Sequence, residues 1–170
     1  MRDASEDDAP ACAAIYAPYV RETAVSFEAE PPTPAQMAER IAAATRTHAW
    51  VVLEDEGRVV GYAYGGPHQK RAAYRFSCEV SVYVEQGRRR TGSGRVLYEA
   101  LFERLAARGY RMAVAGMTLP NEASVGLHQA MGFKPIGVYQ RIGWKLGKWH
   151  DVAWVQRAFG VEQDPPAELR

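Results

Sequence analysis

Arg89-Arg90-Thr91-Gly92-Ser93-Gly94 stands between a strand-patterned segment, Glu79 to Val84, and a helix-patterned one, Ser93 to Arg108. An Arg-x-x-Gly-x-Gly turn at a strand-to-helix junction aims several backbone N–H groups and a helix N-terminus at one point, which suits a pyrophosphate. Gly92 and Gly94 carry no Cβ to block close approach of the backbone to the ligand. The spacing predicts a phosphorylated cofactor. Two better-known phosphate loops do not fit. A dinucleotide fingerprint needs a third Gly or Ala where Leu97 stands, and an acidic residue where none occurs between Arg104 and Asn121. A P-loop needs Gly-Lys-Ser/Thr, which is missing.

The chain has 170 residues, 47% of them hydrophobic, enough for one filled core and too few for two ordinary domains. A formal net charge of +1 gives no reason to expect nucleic acid or an anionic membrane as partner. Two cysteines, Cys12 and Cys78, fit a reducing compartment and buried apolar roles better than a disulfide scaffold. There is no apolar run near the ~20 residues that span a bilayer, and the acidic N-terminus lacks a signal-peptide core. These features predict a cytoplasmic protein. Four histidines, His48, His68, His128 and His150, show no metal-ligand spacing, so no metal is expected.

Asp8 to Arg21 has helical apolar spacing, and Thr33 and Pro34 open a second helix that runs to about Thr45. Trp50–Leu53 and Val59–Tyr64 flank Asp55-Glu56-Gly57-Arg58 as a hairpin. Gly65-Gly66-Pro67 then reads as a break and 68–75 as a loop. Phe76–Val84 is a strand. In the following helix Val96, Leu97, Ala100, Leu101 and Leu105 share one face, and Gly109 stops it. Met112–Thr118 is a strand, Asn121 opens a helix that Gly132 ends, and Phe133–Ile142 and Val152–Phe159 are the last strands. A short strand at residues 1–4 is an option. The order predicts an α/β fold, one domain over residues 1–160 with a mixed sheet and helices on both faces, and a loose tail over 161–170.

Glu79 sits among Cys78, Val80 and Val82, where burial would raise its pKa and suit it to accept a proton from an ammonium. A salt-bridged surface glutamate on an alternating strand is the plainer alternative. Asn121 suits an N-cap. Ser124 and His128 stand four apart on one helix face, weak grounds for nucleophilic catalysis without an orienting acid. His150-Asp151 is a possible dyad, although strand neighbours point to opposite faces.

The Arg-x-x-Gly-x-Gly turn, Asn121-x-x-Ser124-x-x-x-His128 and Met131-Gly132-Phe133 together resemble the acetyl-coenzyme A site of the GNAT N-acetyltransferase superfamily. Val25-Ser26-Phe27-Glu28, Tyr64-Gly65-Gly66-Pro67, Arg71-Ala72-Ala73-Tyr74, Glu79 to Val84, Leu119-Pro120-Asn121 and Gly147 to Val152 narrow this to a resemblance to phosphinothricin N-acetyltransferases. The match covers nearly the whole chain. It implies acetyl transfer from acetyl-CoA to the α-amino group of a small amino acid or analogue, such as phosphinothricin, methionine sulfoximine or methionine sulfone, by a homodimer. It implies Glu79 as general base, a splayed sheet, and backbone donors at Val82, Tyr83 and Val84 for the thioester and pantetheine arm. Arg95, Asn121 and Ser124 join the turn in the cofactor set. Phe27, Arg71 and Tyr74 face substrate, and a guanidinium suits a carboxylate or phosphinate. Alone, Arg71 reads equally well as an exposed loop arginine.

Two departures stand out. His128 replaces the commoner tyrosine that protonates the leaving thiolate, so an acid role and a packing role both stand. His68-Gln69 replaces a Trp-Lys pair of herbicide-detoxifying members, which bears on phosphinothricin as the substrate more than on the reaction type. The rival readings are a broader amine or peptide N-acetyltransferase and a coenzyme A-binding module without chemistry.

Overall fold

A computed structural model describes residues 1–88, 91–160 and 164–169; Arg89 and Arg90, two of the expected cofactor residues, lie outside them. Strands β1 (Arg2–Asp3), β2 (Trp50–Asp55), β3 (Arg58–Pro67), β4 (Ser77–Val84), β5 (Met112–Leu119), β6 (Lys134–Lys145) and β7 (Lys148–Ala158) form one mixed sheet in the order β1-β2-β3-β4-β5-β7-β6. Helices α1 (Ala9–Glu22) and α2 (Pro34–Thr47) pack on one face of it, α3 (Ser93–Arg108) and α4 (Glu122–Ala130) on the other.

Local chemistry sets the element ends. Thr33 Oγ1 accepts from the Gln36 N–H at 3.2 Å while Gln36 Oε1 accepts from the Thr33 N–H at 2.9 Å, and Pro34 takes the first position of α2. Glu56 and Gly57 both lie in the left-handed region, φ 50° and 76°, the two-residue turn that matches strand twist. Leu146 and Gly147 repeat it between β6 and β7, φ 50° and 74°.

Three expectations need correction. Gly65-Gly66-Pro67 does not break β3, because these residues pair with Val80, Glu79 and Cys78 of β4. Glycine is used there for close approach: a Cβ on Gly65 would stand 3.1 Å from Leu105 Cδ2 of α3. Val96 is 47% exposed, since α3 meets the sheet through Leu97, Tyr98, Leu101, Phe102 and Leu105. The last two strands are longer than expected and close on each other, with Ile136, Val138, Ile142 and Trp144 of β6 exposed. Within the segment expected as a loose tail, Leu169 packs against the α3-side core and Glu168 approaches Arg75 at 3.5 Å.

Candidate active site

The site begins where the sheet opens. β4 runs parallel to β5 only at Ser77, Cys78 and Glu79, opposite Met112, Ala113 and Val114; beyond Val114, β5 pairs with β7 alone. The Glu85 N–H donates to Val60 O at 2.9 Å on the β3 side, and Met112 N–H donates to Phe76 O at 3.3 Å on the β5 side. Alternation along the ladder therefore commits the backbones of Glu79, Ser81 and Tyr83 to β3 and turns those of Val80, Val82 and Val84 toward the splay. Of the three expected backbone residues, Val82 and Val84 face the opening. Tyr83 is a correction, because its backbone pairs with Tyr62 and its ring packs on Tyr16 and Tyr19 of α1. The Val84 carbonyl accepts from Tyr19 OH at 2.6 Å, and Val82 lies nearer to Glu79 along the strand.

The N-terminus of α3 lies at the β4 end of this opening. Gly92 is its N-cap at φ 80°, a conformation other residues adopt at a cost, and nothing lies within 4 Å of where its Cβ would project. Its N-cap glycine has no side chain to cap the first turn, so the N–H groups there suit an anion. Thr91 Oγ1 donates to Arg88 O at 3.0 Å and meets Ser93 Oγ at 2.7 Å, fixing the turn. Gly94 has a different reason from the expected one: its Cβ would meet Leu127 Cδ2 of α4 at 2.9 Å, so it lets α3 and α4 pack. Arg95 points along the helix to Glu99 at 2.8 Å, away from the role expected for it. Asn121 caps α4, its Oδ1 accepting from the Ser124 N–H at 3.1 Å.

Glu79 closes the paired part of β4. Its side chain is 43% exposed, and burial pushes its carboxyl pKa up while the His68 imidazole opposes the shift. His68 Nδ1 stands 3.9 Å from Glu79 Oε2, and the His68 ring lies edge-on to Tyr74 at 6.0 Å. The structure thus brings Glu79, His68 and Tyr74 together, while Arg71 stays exposed at the head of the 3-10 turn Ala72–Tyr74. Gly66 lies directly opposite Glu79 on the same face and forms part of a groove of about 360 Å³ between α2 and β3, walled by Tyr16, Arg40, Trp50 and Tyr64.

Phe27 occupies a second wall, 44% exposed, with its ring where a Cβ on Gly143 would be and 6.1 Å from His150. A clamp holds its loop. Arg40 binds Glu28 through both nitrogens at 2.7 and 2.9 Å, Tyr16 OH donates to Glu28 at 2.9 Å, and Lys145 Nζ donates to Val20 O and Ser26 O at 2.6 Å. Sequence reasoning missed Tyr16, Arg40 and Lys145, which lie far apart in the chain and share no local motif.

The geometry does not carry the catalytic expectation for His128. It is buried, with Nδ1 donating to Ser124 O at 2.8 Å and Nε2 accepting from Tyr98 OH at 3.0 Å, and burial pushes its pKa down. A carbonyl only accepts, so Nδ1 holds the proton and no ring nitrogen is spare. Ser124 Oγ lies 3.3 Å from that same Nδ1. Burial lifts the Cys12 and Cys78 thiols to about 12, which makes them inert. His150 and Asp151 form no dyad: Nε2 donates to Lys145 O at 3.0 Å and Asp151 accepts from the Arg141 N–H. Among the described residues, no group of three or more His, Cys, Asp and Glu could hold a metal ion, and no helix is long and apolar enough to cross a membrane.

Comparison with known proteins agrees with this geometry. The acetyltransferase (GNAT) domain family matches residues 1–154. The chain is 37% identical over 170 residues to a phosphinothricin N-acetyltransferase of Streptomyces viridochromogenes, covering 100% of this chain and 92% of that protein. It is 35% identical over 161 residues to an L-methionine sulfoximine/L-methionine sulfone acetyltransferase of Pseudomonas aeruginosa, covering 92% of each. The crystal structure of a phosphinothricin acetyltransferase from Sinorhizobium meliloti in complex with AcCoA superimposes with a TM-score of 0.92 at 35% identity, over 98% of this chain and 92% of that one. The splayed sheet, the uncapped α3 N-terminus and these matches have one conclusion: the chain belongs to the GNAT acetyltransferase family.

Proposed function

We propose that the chain transfers an acetyl group from acetyl-CoA to the α-amino group of a small amino acid or analogue of the phosphinothricin or methionine sulfone type, by direct attack. The observation that carries this reading is the parting of β4 and β5 immediately after Glu79. A carboxylate of raised pKa at the break, strand backbone that faces it and the N-terminus of the helix that follows β4 support the reading.

The N-terminal turn of α3, with Thr91, Gly92 and Ser93, would hold the pyrophosphate, and Asn121 would reach the pantetheine arm. Glu79 takes a proton from the ammonium, directly or through water, and the free amine attacks the thioester carbonyl carbon. Negative charge moves to the carbonyl oxygen, where the Val82 N–H is the candidate donor. The C–S bond then breaks, the thiolate leaves with its electron pair, and the attacking nitrogen gives up its second proton to solvent, which leaves the neutral amide. With both nitrogens of His128 engaged, solvent is the proton source for that thiolate. Arg71 and Tyr74 are the candidates for the acceptor's carboxylate, and Phe27 for its side chain.

A panel of free amino acids, amino-acid esters, peptides and polyamines, assayed for released CoA thiol, tests the reading. Free methionine sulfone or phosphinothricin should lead. Equal rates on esters would remove the role given to Arg71, and tight acetyl-CoA binding without turnover would favour a coenzyme A-binding module. Intersecting steady-state lines are expected; a trapped acetyl-protein would refute direct attack.

We also infer a homodimer. The exposed Ile136, Val138, Ile142, Trp144 and Trp149 form an apolar surface along the β6–β7 hairpin, beside the Phe27 wall. Sedimentation at working concentration tests it, a monomer being the contrary result. Two free, buried thiols fit the reducing cytoplasm.

A further inference from the structure

His68 Nδ1 is enclosed and makes no hydrogen bond, yet it points at the carboxylate across the cleft rim, 3.9 Å from Glu79 Oε2. That is about 1 Å beyond hydrogen-bond contact, a gap that a small rotation of either side chain closes. The rest of the ring is held edge-on to Tyr74 at 6.0 Å and tilted against Trp154 of β7 at 6.3 Å, while 23% of the side chain still meets solvent. A buried polar nitrogen without a partner costs stability, so its position calls for a function. The ring flanks a carboxylate that is itself 43% exposed, and its own exposed part gives a second way to solvent on the His68 side.

A base that turns over must also lose the proton it gains. An acetyl-CoA arm in the splay and an amine on Glu79 would cover the exposed side of the carboxylate and leave the face turned to His68. We propose that His68 is the proton outlet of Glu79: the amine's proton passes to the Glu79 carboxylate, then to His68 Nδ1, the imidazolium gives up its Nε2 proton to water, and proton exchange with water then moves the remaining proton from Nδ1 back to Nε2, which resets the ring for the next turnover. The proposal rests on Glu79 as the base. His68 is a positioning and relay residue, since it acts on the amine only through Glu79.

Chemical rescue tests it. His68→Ala should lower kcat by at least about tenfold while KM for amine and acetyl-CoA stays nearly constant, and added imidazole should restore kcat with saturation. His68→Phe keeps a ring against Tyr74 and Trp154 without a proton site, so it should fold like the parent, show the same loss of kcat and resist rescue. A parent-like kcat in His68→Phe, or a folded His68→Ala that imidazole leaves unchanged, overturns the outlet. If His68→Ala fails to melt cooperatively, His68→Phe alone decides. Glu79→Gln, assayed alongside, separates the two claims: inactive Glu79→Gln with normal His68→Phe removes the outlet and keeps the base, whereas near-normal Glu79→Gln removes both.

Discussion

The two halves of β4 carry the same alternation and meet different fates. From Ser77 to Glu79 the strand is paired on both sides; from Val80 to Val84 only β3 holds it. In each half the even-numbered residues are apolar and pack toward α3, and the odd-numbered residues face α1 and α2. The difference lies in β5, which turns away after Val114 to follow β7. A cleft is made here by withdrawing a neighbour, with no change in the strand itself. Backbone groups that would be ladder bonds are left facing the splay.

Proline gives the harshest test of this contrast, because it removes one N–H and little else on an unpaired side. Cys78→Pro, inside the doubly paired half, should abolish the cooperative melting transition. Val82→Pro should still melt cooperatively but lose roughly 10²-fold in kcat/KM as an oxyanion donor disappears. Equal damage at both positions would mean that the splay is not open in solution.

At the boundary, Glu79→Gln should lower kcat/KM by about 10²–10⁴-fold with acetyl-CoA affinity unmoved, as measured by steady-state kinetics and calorimetry. The parent's acidic limb should lie above the ordinary carboxylate range, since burial raises the Glu79 pKa, and should flatten in the variant. Retained activity there together with loss in His128→Ala would reverse the roles of these two residues.

A smaller effect belongs to the turn. Gly92→Ala meets no atom but must hold φ 80°, so acetyl-CoA should bind about tenfold more weakly, near 1.4 kcal/mol, in a titration of the folded variant. Unchanged affinity would move the pyrophosphate elsewhere.

The mildest test concerns the closed core. Burial pushes the His48 pKa down to about 4 and that of His128 below its usual value, so both are neutral in the fold. The unfolded chain binds more protons between pH 6.5 and about 4, so stability should be full above 6.5 and fall as pH drops through that window. Melting temperatures of the parent and His48→Phe should converge as the pH is lowered if His48 carries this slope.

Local features were readable in the chain. Thr33-Pro34, Glu56-Gly57, Gly92 and Asn121 are turn and cap residues whose conformations depend on themselves and near neighbours, and the helix and strand periods placed most elements between them. Gly65 misled for an equally local reason: a glycine that seats Leu105 looks the same in sequence as one that ends a strand.

The fate of the two histidines could not be read in this way. His128 falls on a helix face with Ser124, a pairing that invites chemistry, and only the approach of Tyr98 from α3 shows that both its nitrogens are engaged. His68 falls in a polar loop, and only the fold of that loop against β4 and β7 sets it beside Glu79. Periodicity, capping and turn chemistry act over a few residues and are written in the chain. The splay of β4 from β5, the clamp of Arg40 and Lys145 on the Phe27 loop, and the choice between an enclosed and a working histidine arise from packing between distant segments, where no short stretch of sequence holds both partners.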